Sequence, residues 1–253
     1  MKIISLSENT SKNDSIEREH GLSLYIEACG RKIIFDFGQS DLFLKNAAKL
    51  GVDVAAADMA VISHGHYDHG GGIYHFIAIN KSAPVYMRRG AQLPFYHGDR
   101  YIGLDPSIAD RDRIVFTDEG ITLSEGISLV TLDAPPISND GLTVRLGEEY
   151  LPDDFDHEQY LLIEENGKRI LISGCSHKGI VPIVKRFKPD VLVGGFHFMN
   201  MPTDENLMAM ATELDGVGCS FYTCHCTGTD QYNFIKQYIK DINYLSSGDS
   251  MEI

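Results

Sequence analysis

The stretch that decides the fold is Ser63-His64-Gly65-His66-Tyr67-Asp68-His69-Gly70-Gly71-Gly72, which follows a short apolar run. It places three imidazoles and one carboxylate within six residues. Such groups are costly to bury alone, but around a metal ion they become ligands. His64 and His66 project the same way from extended chain. A glycine-rich loop at this point can direct these two histidines to one metal ion and turn Asp68 and His69 toward a second.

The cluster differs from the helical His-Glu-x-x-His zinc motif, whose two histidines lie four residues apart. A histidine-rich surface loop that binds metal adventitiously is the alternative. The strand before the cluster and the glycines after it favour a built site over such a loop.

The cluster resembles the signature of the metallo-β-lactamase superfamily. Other stretches resemble one subgroup of it: His20-Gly21-Leu22-Ser23, Asp36-x-Gly38, Gly174-Cys175-Ser176-His177-x-Gly179-Ile180, Gly194-Gly195-Phe196-His197 and His225-Cys226-Thr227-Gly228. That subgroup holds metal-dependent hydrolases and a dihydropterin-ribofuranosyl-aminobenzene phosphate synthase. The resemblance covers nearly the whole chain and is weakest across 88–150. It implies an α/β (α+β) fold, a four-layer αββα sandwich with the metals at one edge between the sheets.

The resemblance also implies metal ligands, of which the first are His64, His66, Asp68 and His69. Cys175 stands where a bridging aspartate is usual, and His177 follows it by two residues. We expect His177 to bind metal. Cys175 is either a further ligand or a small buried thiol, because a thiolate bridges two metals less naturally than a carboxylate. His225, after an apolar strand, is expected to be the final histidine ligand.

Five residues have other expected roles around the metals. Asp68 and His197 are the predicted catalytic residues, although His197 is alternatively a ligand or a core histidine. His157 lies near the usual third-motif histidine, but its surroundings differ, so substrate contact competes with ligation. His20 is expected to line the site as a substrate-binding residue. Asp36 resembles the carboxylate that orients a ligating histidine through its free ring N–H.

Strands followed by helices occur twice along the chain. Strands are predicted at 2–6, 22–28, 32–36, 59–63, 127–132, 159–163, 169–173, 190–194 and 220–224, and helices at 41–50, 180–187, 203–214 and 230–240. Thr203 and Asp230 are the predicted N-caps. This order indicates two mixed sheets facing each other with helices outside. We expect a single domain over 1–253. Residues 87–113, the lid segment, are predicted to be a lid or insertion, with a plain surface excursion as the alternative.

Charge and cysteine content restrict the partners and the compartment. The net charge of −14 repels phosphate backbones and anionic lipid, so neither nucleic acid nor a membrane is expected as a partner. The N-terminal apolar run is too short for a signal peptide. An odd count of 5 cysteines indicates reduced thiols, so we expect a cytoplasmic protein. The sequence does not indicate an oligomeric state.

Four hypotheses for function follow. The first is a hydrolase in which two divalent transition-metal ions, zinc first with iron or manganese also suitable, hold a bridging hydroxide. The second is a synthase that joins a phosphorylated pterin to an aryl amine. The third is a di-iron redox protein, although that class usually carries Glu in place of His66. The fourth is a metal-loaded effector without turnover.

The expected substrate is a small molecule that carries a phosphate or similar anion. The lid segment supplies Arg88, Arg89 and Arg100 in a strongly acidic chain. Arginine forks match phosphate oxygens, and nearby tyrosine faces suit a flat ring such as a pterin. The alternative is that these arginines pair on a solvated surface with Asp99, Asp105, Asp110 and Asp112.

Overall fold

The computed structural model describes residues 1–136 and 141–253. Within them the strands are β1 (Lys2–Ser7), β2 (Ser23–Ala28), β3 (Arg31–Phe35), β4 (Met59–Val61), β5 (Val85–Arg88), β6 (Phe95–His97), β7 (Arg100–Tyr101), β8 (Ile114–Thr117), β9 (Ile121–Ser124), β10 (Ile127–Val130), β11 (Leu142–Leu146), β12 (Glu149–Pro152), β13 (Tyr160–Glu165), β14 (Lys168–Ile172), β15 (Val191–Gly194), β16 (Ser220–Thr223), β17 (Ile242–Tyr244) and β18 (Ser250–Glu252). The helices are α1 (Leu42–Lys49), α2 (Tyr67–Gly70), α3 (Ile73–Ile79), α4 (Ile180–Phe187), α5 (Glu205–Asp215) and α6 (Thr229–Ile235).

Two mixed seven-stranded sheets form the centre of the structure. The first has the order β18-β1-β2-β3-β4-β5-β8, and the second has the order β17-β16-β15-β14-β13-β10-β9. Each contains an antiparallel hairpin that the sequence predicts from its turn. Cys29 and Gly30 join β2 to β3, and Asn166 and Gly167 join β13 to β14, with positive φ at all four residues. Two successive positive φ angles match the twist of a tight hairpin.

Side chains alternate across each sheet and so build separate layers of core. In β3, Ile33 and Phe35 pack between the two sheets, whereas Ile34 packs under the helices of the first half. In β14, Ile172 faces the other sheet and Leu171 packs against the helices of the second half. This period of two places a helix layer, two sheets and a second helix layer in sequence. The predicted four-layer αββα sandwich is confirmed.

The candidate site lies where parallel strands of both sheets end. Strands β3 and β4 are parallel in the first sheet, as are β14, β15 and β16 in the second. The loops after all five strands carry candidate site residues. Gly174, after β14, brings the two sheets' loops together, because a Cβ there would lie 2.2 Å from the Ser63 hydroxyl oxygen.

The lid segment differs from the expectation in two respects. Its first residues belong to β5, and the Met87 side chain is fully buried in the core beneath the first sheet. Its middle forms β6 and β7, which join β11 and β12 in a four-stranded sheet with the order β12-β11-β6-β7. This third sheet was not predicted, because the strands of the lid segment are short and pair with a hairpin more than forty residues away. The lid role itself stays a prediction.

Three local expectations are corrected. Asp68 and His69 lie on the single helical turn α2 instead of a loop. Helix α5 is capped by Asp204, which accepts hydrogen bonds from two backbone N–H groups, and not by Thr203. Helix α6 begins after Gly228, so Asp230 lies inside its first turn. A carboxylate at this end of a helix interacts favourably with the helix dipole. None of the described helices has both the length and the hydropathy that crossing a bilayer requires.

Candidate metal centre

The first candidate group of metal ligands is formed by His64, His66 and His177. All three side chains are buried, and one ring nitrogen from each lies within 4.8 Å of the others. In the described part of the chain, Nε2 of His64, Nε2 of His66 and both nitrogens of His177 find no hydrogen-bond partner. Buried polar atoms rarely lack a hydrogen-bond partner. Several ring nitrogens that converge without one are therefore typical of a metal site.

Hydrogen bonds fix the His64 ring with one nitrogen directed into this group. The Ser63 hydroxyl donates to Asp36 Oδ2 at 2.7 Å and therefore accepts from His64 Nδ1 at 2.9 Å. The lone pair of His64 is consequently on Nε2, the atom that faces the other histidines. Burial lowers the pKa of His64 and of His177 well below the ordinary value, so both rings are neutral, as metal ligands must be.

The second candidate group is formed by His20, Asp68 and His225, with His69 beside it. Asp68 Oδ2 lies 3.2 Å from His20 Nε2 and 3.3 Å from His225 Nε2. The Nε2 atoms of His69 and His225 are 3.2 Å apart. Asn9 Oδ1 accepts from His225 Nδ1 at 2.8 Å, which leaves the His225 lone pair directed toward Asp68.

Electrostatics make this second group attractive to a cation. Burial by itself raises the pKa of Asp68, but the neighbouring His69, His20 and His225 hold it well below its ordinary value. Burial lowers the pKa of His69, yet the carboxylates of Asp36 and Asp68 raise it overall to about 9. The same negative surroundings that stabilise a proton on His69 also favour a divalent cation, which can replace that proton.

Cys175 lies between the two groups. Its Sγ is 3.2 Å from His69 Nε2 and within 4.8 Å of a ring nitrogen of His64, His177 and His197. Burial raises the pKa of this thiol well above the usual range. The Cys175 sulfur is therefore close to ligands of both groups. The resemblance to the superfamily implies a bridging carboxylate at this position.

Three buried carboxylates hold the loops that carry these ligands. Asp36 accepts from the backbone N–H of Ser63 at 2.7 Å. Glu158 accepts from His177 N at 2.7 Å, and Glu8 accepts from His225 N at 2.6 Å. Glu8 and Glu158 were not predicted as site residues. Glu8 stands alone in the sequence, and Glu158 ends the acidic run 153–158, but the partner of each is distant in sequence and no metal-ligand motif includes them.

His157 lies beside the first group, in a candidate ligand set with His66 and Asp153, and its role as substrate contact or ligand stays a prediction. Its Nδ1 accepts from Gly65 N at 2.9 Å, and its Nε2 lies 3.2 Å from Asp153 Oδ2. Both nitrogens are thus engaged within the protein, and the side chain is buried. Asp153, which sequence analysis missed, also lies 3.7 Å from His66 Nε2, so these two residues support the first group from behind. The acidic run 153–158 was the available signal.

The remaining predicted residues lie in different surroundings. His197 adopts a left-handed backbone conformation, and its ring centroid lies 4.2 Å from that of His177. The exposed Arg89 pairs with Asp118 at 2.6 Å, an aspartate outside the set that sequence analysis named as the alternative. Arg88 donates to the Glu158 carbonyl at 3.3 Å. Both guanidinium groups are therefore engaged by the protein, and their role toward substrate stays a prediction.

The sequence model of the metallo-beta-lactamase superfamily matches residues 16–198, which contain the first group and most of the second. The chain belongs to the metallo-β-lactamase superfamily. A crystal structure of a metal-dependent hydrolase of that superfamily has a TM-score of 0.85 and 28% identity, and the match covers 100% of this chain and 99% of that one. The structure of Zn(2+)-bound PqqB from Methylobacterium extorquens has a TM-score of 0.63 at 10% identity, which shows the shared metallo-β-lactamase fold alone.

Two relatives come from Methanocaldococcus jannaschii. One is an uncharacterized protein that is 28% identical over 232 residues, 83% of this chain and 84% of the relative. The other is the 7,8-dihydropterin-6-methyl-4-(beta-D-ribofuranosyl)-aminobenzene-5'-phosphate synthase, 26% identical, with 98% of this chain and 95% of the relative covered. The metallo-β-lactamase fold of this chain is therefore shared with relatives of more than one function.

We expect His177 to contribute more to metal retention than Cys175. His177 is neutral and presents orphaned nitrogens, whereas the buried Cys175 must first lose a proton that its surroundings retain. In His177→Ala, a chelator should remove the first metal ion at a concentration at least about tenfold lower than in Cys175→Ser. Chelator titration followed by elemental analysis measures this. Easier metal loss from Cys175→Ser than from His177→Ala would reverse the order.

Proposed function

We propose that this chain is a metal-dependent hydrolase that acts on a small molecule through two divalent transition-metal ions. The observation that carries the proposal is the convergence of buried imidazole nitrogens without partners in His64, His66 and His177. The carboxylate-containing group around Asp68 lies beside it and supports a second ion. Mixed imidazole and carboxylate donors suit zinc best, with iron and manganese as further candidates.

The residues of the two groups have different proposed roles. His64, His66 and His177 would hold one ion, while Asp68, His69 and His225 would hold the other, with Cys175 between them. When bound, such ions polarise the bond under attack and lower the pKa of a coordinated water to near neutrality. His20 Nε2 and His225 Nε2 both lie beside the same oxygen of Asp68, so its other oxygen would accept a hydrogen bond from the attacking water and orient it. His197, whose ring centroid lies 4.2 Å from that of His177, would contact the substrate as the second catalytic residue.

The proposal is tested by metal content and turnover together. We expect two transition-metal ions per chain after loading with zinc and removal of the excess, since the two groups offer separate donor sets. Elemental analysis of the loaded protein measures the ratio. The loaded protein should then hydrolyse at least one of a set of esters, thioesters, lactones and phosphoesters. One ion or none would contradict the two-metal arrangement.

A phosphorylated-pterin synthase is the second candidate, and the full-length similarity to the Methanocaldococcus jannaschii synthase favours it. In that case the anionic substrate would meet Arg88 and Arg89, as the sequence predicts. Salt-dependent binding of a phosphorylated pterin, lost in Arg88→Ala, would support this candidate. The control is Arg31→Ala, which removes an exposed arginine whose partner is Asp58. Equal binding in both variants would exclude the arginine contact.

Other outcomes of the same tests identify the remaining hypotheses. A coloured protein that retains iron would support a redox centre, and metal binding without turnover of any substrate would support an effector. Five free thiols in the structure, one of them inside the metal centre, favour a reducing compartment, and we propose the cytoplasm.

A further inference from the structure

A cavity of about 310 Å³ opens beside the first group of metal ligands. His177 and His197 form one wall, and Phe196, Phe198, Met201 and Met210 form much of the rest. None of its described lining residues carries a permanent charge. The volume is at the lower end of the range for small-ligand sites, and a mainly apolar lining is typical of them.

We propose that this cavity, the Phe/Met pocket, binds an uncharged acyl or aryl group of the substrate while the bond to be cleaved lies at the metal ligands. The inference rests on the proposed function and names its substrate class, a carboxylic ester, thioester or lactone with an apolar acyl or aryl part. In the reaction, water adds its hydroxyl to the acyl carbon, the bond from that carbon to the leaving oxygen or sulfur breaks, and the leaving atom takes the proton. An ester or thioester gives a carboxylic acid and an alcohol or thiol, and a lactone gives a single hydroxy acid.

The position of His177 connects the pocket to the metal centre. This residue presents orphaned nitrogens to the first group and also lines the pocket. Phe155 stacks on the His177 ring with 4.0 Å between centroids and 10° between planes, which holds the ring in place. A group that fills the pocket is therefore held against a side chain of the centre, at a fixed distance from the reacting atoms.

The wall of the pocket is held in shape by backbone contacts. Met199 N donates to Cys226 O at 3.0 Å, and Met201 N donates to Phe198 O at 2.8 Å. The Gln231 amide donates to Met201 O at 2.9 Å. A wall fixed in this way loses little conformational freedom when a ligand binds, which favours affinity.

A second cavity has a different character. It has a volume of about 440 Å³, is bounded by His225 of the second group, and carries Arg18 and Asp230 in its lining. Charged parts of a substrate have partners there, whereas in the Phe/Met pocket a phosphate would lose its hydration without a cationic side chain in return. The two cavities thus distinguish an apolar part of the substrate from a polar one.

Filling the pocket tests the assignment. Met210→Trp places a larger side chain in the pocket, and Met201→Trp does so from the other wall. Met208→Trp is the matched control, because Met208 lies on the same helix, two residues away on another face, and does not line the pocket. Elemental analysis and circular dichroism of each zinc-loaded variant establish that metal content and fold are retained.

The first readout is binding of 2-naphthol, an uncharged aryl probe, to the zinc-loaded protein by fluorescence titration. We expect at least a tenfold loss of affinity in Met210→Trp and Met201→Trp, and no change in Met208→Trp. Equal binding by all variants, or absence of binding by the unsubstituted protein, would overturn the assignment whether or not the protein is a hydrolase.

The second readout compares the rates of hydrolysis of ethyl acetate and ethyl hexanoate. Both esters release ethanol, which is too small to fill the pocket, so they differ only in the acyl chain. The unsubstituted protein should favour the hexanoate by up to about fourfold in kcat/KM per added methylene. Met210→Trp should lose that preference, whereas Met208→Trp should keep both the preference and the rate on the acetate. Parallel losses on both esters would contradict the pocket's role in specificity. Intact naphthol binding without any turnover would support the pocket and refute the hydrolase proposal.

Discussion

In His66→Ala, turnover is expected to fall by about a thousandfold or more, while the fold persists. The substitution removes one nitrogen from the first group, and a metal ion that polarises a reacting bond contributes several kcal/mol to the transition state. The backbone role of residue 66 survives, because its carbonyl accepts from His69 N and Gly70 N at 3.1 Å in either case. Rate measurements with a verified substrate, at matched metal loading, give the ratio.

His75→Ala is the control for this variant. His75 is an exposed histidine on α3 that belongs to neither group of ligands. It should keep its metal content, its circular dichroism spectrum and its rate. A near-normal rate in His66→Ala, with the same substrate, would show that the first group does not carry the chemistry.

Asp36→Asn is expected to weaken metal retention about 10- to 100-fold and to lower the melting temperature. Asp36 is fully buried, and one of its oxygens accepts both from the Ser63 hydroxyl and from His69 Nδ1, each at 2.7 Å. Asparagine fits the same space and tolerates the left-handed backbone, with φ of 59°. An amide offers one oxygen to three donors, because Ser63 N also donates to the other Asp36 oxygen, so at least one of the three contacts is lost. The negative charge that orients the His69 ring is lost with it.

Zinc competition with a chromophoric chelator and thermal melting in chelator measure the two effects of Asp36→Asn separately. Asp118→Asn provides the control, since it removes an exposed carboxylate whose partner is Arg89. The melting temperature without metal should also fall in Asp36→Asn, because a buried network of three acceptor contacts is disturbed. Unchanged zinc affinity in this variant would mean that Asp36 does not orient a ligand.

Local signals in the sequence were sufficient for the parts of the fold with strong periodicity. The helix at 180–187 and the hairpins at Cys29-Gly30 and Asn166-Gly167 are confirmed, because each is defined by residues close together in sequence. The histidine cluster is of the same kind. His64, His66 and their neighbours form a compact pattern that predicts a metal site before any long-range contact is known.

Long-range contacts account for what sequence analysis missed. Glu8 accepts a hydrogen bond from the backbone N–H of His225, 217 residues away in sequence. Glu158 accepts one from the backbone N–H of His177, 19 residues away. Neither glutamate belongs to a metal-ligand motif, so only the fold identifies its partner. The engagement of Arg89 by Asp118 is of the same type, since the two residues come together only through the parallel pairing of β5 and β8.

The contact between Glu8 and His225 has a consequence for the order of events during assembly. Glu8 follows β1 in the first sheet and His225 follows β16 in the second, so this hydrogen bond can form only after the two sheets have packed together. His64 and His66, by contrast, lie two residues apart in one loop and come together locally. The proposed ion of the second group would therefore meet its complete set of ligands only in a chain whose two sheets are already assembled.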